Sequence, residues 1–211
     1  MVIKGVLKLL NSSIFSEVEN KLIYFDRFFA HKPALQKVTN IFASQKCCKL
    51  TYLTSGSFEY TLGEEKLVFS KGQVCFIPPN VNHYYSVYNS NTSSIQIFFY
   101  AFEVGTDEPV FKGDRPYIFK KISEDVLEKF SNFYNAYISD NASTIKLNAN
   151  LFGILEMLIK SETQIKRSKI FPAIDYINKN YNKKIYLAEL ARICYLSSSQ
   201  LIRRFKQEVG M

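Results

Sequence analysis

The chain has 211 residues, with 27 Lys/Arg against 19 Asp/Glu for a net charge of +8, and a hydrophobic fraction of 47% with 8 glycines and 6 prolines. That length suits one large or two small domains, and that composition excludes wholesale disorder. No run of about 18 apolar residues is present to span a bilayer, and Met1–Leu10 is broken by Lys4 and Lys8 with no small-x-small cleavage site, so a cytoplasmic protein without a membrane partner is expected. Cys47, Cys48, Cys75 and Cys194 have no CxxC spacing, which fits reduced thiols better than a disulfide framework.

Residues 47–102 read as short strands separated by turns. Lys49–Leu53 leads into Thr54-Ser55-Gly56-Ser57, and Phe58–Leu62 alternates apolar with polar as a half-buried strand does. Gly63-Glu64-Glu65 turns into Lys66–Phe69, and Lys71-Gly72 turns into Val74–Ile77, which Pro78-Pro79 stops because proline cannot donate to a ladder. His83–Val87 and Ile95–Phe102 complete a series with no helix inside it, the pattern of an antiparallel barrel or sandwich.

Two helical patterns follow. Val126, Phe130, Phe133, Tyr134, Tyr137 and Ile138 recur at helical spacing within 123–139, with Ser123 as the expected N-cap. Leu147, Leu151, Ile154, Leu155, Leu158 and Ile159 do the same within 144–162. Asp140–Ser143 joins the two as an antiparallel hairpin whose apolar stripes pack mainly within the chain.

Charge is concentrated at the far end. Residues 163–211 hold ten Lys/Arg against Asp175, Glu189 and Glu208, which accounts for +7 of the +8 and marks a segment suited to a polyanion. Residues 163–169 read as a basic linker. Ile170, Ile174 and Ile177 then line one helix face, a short helix from about Leu187 to Cys194 carries Leu190 and Ala191 inward, and Tyr195-Leu196 turns into a helix from Ser197 to Val209. Ser197 with Gln200 forms a capping box, Leu201, Phe205 and Val209 point inward, and Ser199, Gln200, Arg203, Lys206 and Gln207 lie on other faces. The result is a helix-turn-helix.

At these residues the chain resembles the AraC/XylS family of bacterial transcription regulators. The matching run is Ile170-x-x-Ala173-Ile174-x-Tyr176-Ile177-x-x-Asn180-Tyr181, Leu187-x-x-Leu190-Ala191, and Leu196-Ser197-x-x-x-Leu201-x-Arg203-x-Phe205-Lys206-x-x-x-Gly210-Met211. Gly72-x-x-x-x-Ile77-Pro78-Pro79-Asn80-x-x-His83-x-Tyr85 is similar to the second cupin motif of the family's effector-binding domains. The resemblance implies a two-domain α+β chain. Residues 1–120 would form a cupin-like antiparallel β-barrel, 121–162 a dimerising helical hairpin, 163–169 a linker and 170–211 an all-α helix-turn-helix subdomain. It implies double-stranded DNA, a small-molecule effector, a second copy of the chain and RNA polymerase as partners, with no cofactor.

Three departures stand out. The family carries two helix-turn-helix units, whereas this chain stops at Gly210-Met211 just past the first, as a fragment or a naturally shortened protein would. Tyr186 sits where a Ser or Thr usually caps, and Arg204 replaces a typically apolar residue.

The expected DNA contacts are Arg203 for direct base readout, Ser199 and Gln200 as secondary readers, and Arg204, Lys206 and Lys184 on phosphates. The expected effector site is a barrel interior lined by Tyr52, Thr54, Tyr85, Ile97 and Phe99 with His83 at its mouth; side chains that simply fill a small barrel are the alternative. No enzyme is expected. The first-motif H-x-H is absent, its region reading Leu53-Thr54-Ser55-Gly56-Ser57. His31 and His83 are the two histidines, and a zinc or iron site takes three or four protein ligands. The competing readings are a metal-dependent cupin enzyme with an incidental basic tail, and a truncated regulator that dimerises without competent DNA binding.

Overall fold

The computed structural model describes residues 21–120, 122–139, 143–166, 169–180 and 183–209, and gives backbone alone for 162–166, 178, 208 and 209. Among these residues ten strands precede five helices, a mixed α and β chain. They fall into two compact units that divide between Ile159 and Lys160, inside a helix.

The first unit holds two antiparallel sheets. One runs β1 (Ile23–His31), β9 (Thr92–Glu103), β4 (Cys48–Ser55), β7 (Val74–Ile77), β10 (Tyr117–Phe119), with β2 (Ala34–Leu35) also on β9. The other runs β3 (Val38–Ala43), β8 (His83–Val87), β5 (Ser57–Leu62), β6 (Glu65–Ser70). The expected strands from Lys49 to Phe102 are all present. β1, β2, β3 and β10 lie outside the expected series. At the β4–β5 turn Gly56 has φ +75°, and a Cβ there would stand 2.2 Å from the Thr92 hydroxyl oxygen and 2.8 Å from the Thr92 Cα, so the turn is closed to any side chain.

β4 is covered on both faces, which is why its apolar residues do not alternate cleanly with polar ones. Its register places Leu50 between Ile97 and Phe76, and Tyr52 between Ile95 and Val74. Successive residues point to opposite faces, so Lys49, flanked by Phe98 and Ile77, and Thr51, flanked by Gln96 and Cys75, form the other face. Two helices pack on the first of these faces. α1 (Val126–Tyr137) and α2 (Thr144–Lys166) contribute Val126, Phe130, Phe133, Leu147, Leu151, Ile154, Leu155 and Leu158 to one buried cluster with Leu50, Tyr52, Val74, Phe76, Ile97 and Phe99. Tyr52 meets Phe130 with ring centroids 5.5 Å apart, and Phe25 meets Phe152 at 4.7 Å. Each fully buried Phe or Leu in this layer contributes roughly 1.5–3 kcal/mol.

The cap of α1 differs from expectation. Asp125 occupies the N-cap position without a side-chain cap bond, and the Ser123 hydroxyl donates to the Asp125 carboxylate instead. Ser123 still closes the entry turn through its carbonyl, which accepts the Val126 N–H at 3.1 Å. Of the expected hairpin turn, residues 140–142 lie outside the described set.

α2 continues to Lys166, so the expected linker over 163–169 is largely helix in its backbone; residues 167 and 168 are outside the described set. The second unit then builds α3 (Phe171–Asn180), α4 (Leu187–Ile193) and α5 (Ser198–Val209) around Ile170, Ala173, Ile174, Ile177, Leu190, Ala191, Cys194 and Leu201. Phe205 is partly buried against this cluster; the Val209 side chain, Tyr181 and Gly210-Met211 lie outside the described set.

The turn between α4 and α5 is a Schellman motif. The Leu196 N–H bonds the Ala191 carbonyl at 2.9 Å and the Tyr195 N–H bonds the Arg192 carbonyl at 3.1 Å. The left-handed residue is Tyr195, at φ 54°. The start of α5 is a reciprocal capping box, with the Ser197 N–H donating to Gln200 Oε1 at 2.9 Å and the Gln200 N–H to Ser197 Oγ at 3.2 Å.

Candidate nucleic-acid interface and sheet interior

Amphipathic α5 sets the interface. Leu201 is fully buried and Phe205 half-buried, which fixes the helix in rotation and turns Ser199, Arg203, Lys206 and Gln207 to solvent. Arg203 and Lys206 have no acidic partner among the described residues. Gln200 is also exposed, but its amide oxygen is committed to the Ser197 N–H, so only its amide nitrogen is available outward. Arg204 is half-buried and already engaged, which weakens its expected role on a phosphate. Tyr195, 96% exposed on the turn before α5, is a surface aromatic that motif reading passed over because turn residues are judged by conformation.

Beside α5, the unit carries a second basic surface. A recess of about 610 Å³ is lined by Tyr176, Asn180, Lys183, Lys184, Ile185, Tyr186, Ala188, Glu189 and Arg192. Lys184 Nζ stands 5.1 Å over the Tyr186 ring, and the Tyr176 hydroxyl donates to Glu189 at 2.6 Å, which raises the tyrosine's pKa through that bond, burial and the carboxylate charge. Tyr186 heads α4 without a side-chain cap bond. Lys183, Lys184 and Arg192 are therefore exposed cations that phosphates could share.

In the first unit the six expected effector residues separate. Tyr52, Ile97 and Phe99 belong to the cluster beneath α1 and α2, not to an interior between the sheets, and this corrects the expected lining. Strand alternation gives which residues share a face; helix packing decides which face is covered, and the apolar set goes there. Thr54 departs from its neighbour Tyr52 because the β4–β9 register shifts between Leu53 and Ser55, and its hydroxyl lies 2.6 Å from Ser93 Oγ. His83 and Tyr85 lie on β8. Tyr85 stacks on Phe58 at 5.4 Å, and His83 is buried with Nδ1 2.9 Å from the Val81 carbonyl and its ring edge-on to Tyr60 at 5.0 Å. Burial lowers the His83 pKa against the Val81 bond, with the Lys49 charge adding to the lowering.

Between the sheets lie polar residues that the sequence reading left unassigned. Lys49 is half-buried; burial holds its pKa down to about 8, with Cys75 and Cys47 drawing it upward. The buried Tyr60 hydroxyl lies by Thr51 and Cys75 without a well-aligned hydrogen bond to either, and its pKa is raised, chiefly by burial. The signal was available in Lys49 and Thr51, the polar alternates of an otherwise apolar strand. Among the described residues no three His, Cys, Asp or Glu side chains gather as a metal-binding group. Among them, too, no helix is long and apolar enough to cross a membrane.

Comparison with known proteins gives distant likenesses. No protein-family model and no curated protein sequence matches the chain. Among solved structures, an apo ToxT variant from Vibrio cholerae is 10% identical with a TM-score of 0.47, covering 86% of this chain and 75% of its own. The AraC-like transcriptional activator CuxR is 14% identical with a TM-score of 0.37, over 77% of this chain and 61% of its own. EutQ from Clostridium difficile is 16% identical with a TM-score of 0.31, over 38% of this chain and 69% of its own.

Proposed function

We propose that the chain is a sequence-specific DNA-binding transcription regulator controlled by a small molecule held in its amino-terminal sheet domain, with no catalytic activity. The observation that carries this reading is the rotational setting of α5: Leu201 is fully buried while Arg203 and Lys206 are exposed and free of acidic partners among the described residues. A helix held this way fits the major groove, where the Arg203 guanidinium can donate two hydrogen bonds to guanine O6 and N7. Lys183, Lys184, Arg192 and Lys206 fit phosphate oxygens, which fix register without reading sequence. Ser199 and the Gln200 amide nitrogen are secondary readers. Exposed Ile145 and Phe152 on α2 supply an apolar face for pairing of two copies, as a dimer on a two-fold operator requires.

Selection of bound duplexes from a random library tests the reading, with an enriched motif as the expected outcome. Arg203→Ala is expected to cost about 1–3 kcal/mol, or roughly 5- to 150-fold, on the selected duplex and to relax one position of the motif. Equal loss on selected and random duplexes would assign Arg203 to the phosphate backbone. Failure to enrich any sequence would remove the regulator reading.

A further inference from the structure

We propose that the recess between β9, the end of β4 and the start of α1 is a binding site for a small molecule bearing an oxyanion, a carboxylate or a phosphate, held by Lys32 and the hydroxyl of Ser131. The recess measures about 280 Å³ and is lined by Lys32, Pro33, Ala34, Thr54, Ser93, Ser94, Ile95, Leu127 and Ser131. No acidic residue is in that lining, and its volume falls just below the roughly 300–1,000 Å³ of ligand pockets, which limits the occupant to a few carbons around its charged group.

The uncommitted polar groups of the lining, Lys32 and the Ser131 hydroxyl, are donors. Lys32 is in the lining, its Nζ stands 4.2 Å over the Tyr134 ring, and no acid pairs with it among the described residues. The Ser55 hydroxyl donates to the Asn91 carbonyl, so Ser55 Oγ accepts from Ser93 at 2.8 Å. Ser93 thus spends its one hydrogen on Ser55, and Thr54, 2.6 Å away, donates to Ser93, so the Thr54 hydrogen is committed within the relay. Ser94 accepts from Gln96 Nε2 at 3.2 Å and shares the face of Gln96, opposite Ile95, so its hydroxyl turns away from the recess. The Ser131 hydroxyl has no hydrogen-bond partner among the described residues. One cation and the Ser131 hydroxyl hydrogen answer an oxyanion, and Pro33, Ile95 and Leu127 offer an apolar wall to a short hydrocarbon.

Binding here stands apart from regulation; that the occupant is the effector rests on the reading proposed above. The test uses the full chain in calorimetry and thermal unfolding, at fixed pH and ionic strength, with sodium butyrate, potassium phosphate and uncharged butyramide. Saturable binding of butyrate but not butyramide supports the site and names an organic carboxylate; saturable binding of phosphate supports it and names a phosphate. Lys32→Met is expected to weaken either anion at least tenfold, and Ser131→Val less, with the unliganded melting temperature of both variants unchanged. No saturable binding of either anion, or equal binding by Lys32→Met, overturns the proposal. Anion binding without change in DNA affinity keeps the site and removes the effector role. Absent anion binding with intact sequence-specific DNA binding removes the site and leaves the DNA reading standing.

Discussion

Lys49 is a cation among groups that cannot answer its charge. Its ammonium lies 5.4 Å from the Phe98 ring centre, its titratable neighbours include the Cys75 and Cys47 thiols and His83, all held toward their neutral forms by burial, and no carboxylate pairs with it among the described residues. Burial holds its pKa down to about 8. An unfolded lysine titrates near about 10.4. Below the folded value both states carry the proton, and the fold bears the full cost of a desolvated charge. As pH rises from 8 toward the unfolded value the folded lysine releases its proton first, and the cost disappears. Lys49→Met is therefore expected to stabilise the chain by about 1–3 kcal/mol at pH 7, with the advantage shrinking toward zero by pH ~10.5. Urea unfolding of both proteins at pH 7, 8.5 and 10 checks it, because the difference cancels the opposing titration of the cysteines. An advantage that does not change with pH would place the ammonium in water. Tyr195 carries a different cost, a left-handed backbone at φ 54° with an almost fully exposed ring. Tyr195→Gly is expected to stabilise the second unit by about 0.5–1 kcal/mol, measured by calorimetry, because glycine meets that conformation without a Cβ clash.

Among the elements, α5 is the one whose local rules all agree. Its Ser197–Gln200 capping box satisfies two orphan amides and its Leu201–Phe205 spacing matches the face it buries. Ser197→Ala is expected to cost about 0.5–2 kcal/mol of stability in the second unit, while Ser198→Ala, whose hydroxyl makes no cap bond, stays within about 0.5 kcal/mol; denaturant midpoints compare them. The same agreement made α3, α4 and α5 legible in the sequence to within a residue or two. β1 was not, because a register shift between Asp26 and Phe29 and a left-handed Arg27 at φ 48° break its alternation. Nor was the facing of β4 and β9. Tyr52, Ile97 and Phe99 were legible as buried strand residues. Their burial beneath α1 and α2, however, is a property of tertiary packing that a period of two does not encode. Ser123 misled for a related reason: its hydroxyl has a choice of acceptors, and the Asp125 carboxylate outcompetes the helix amides.

For the chain as a whole, the uneven charge is the property with the widest reach. Residues 163–211 carry +7 of the net +8, so any encounter with a polyanion is governed by the second unit, while the first presents a nearly balanced surface. On the proposed regulator reading, a molecule bound in the sheet domain would alter DNA affinity only by as much as it binds the competent and incompetent states differently. The two contributions separate by their response to salt. Phosphate contacts release counterions and make log affinity fall linearly with log salt, whereas base contacts and ligand coupling do not set that slope. If Lys183, Lys184, Arg192 and Lys206 each meet a phosphate, the slope is about −3.6, and affinity falls roughly 150-fold between 50 and 200 mM salt. Lys206→Ala should make the slope shallower by about 0.9 and weaken selected and random duplexes alike, whereas Arg203→Ala should leave the slope nearly unchanged and weaken the selected duplex more. Fluorescence anisotropy at five salt concentrations resolves both effects. A flat plot would mean that the basic unit does not engage phosphates, and the charge asymmetry would then need another partner.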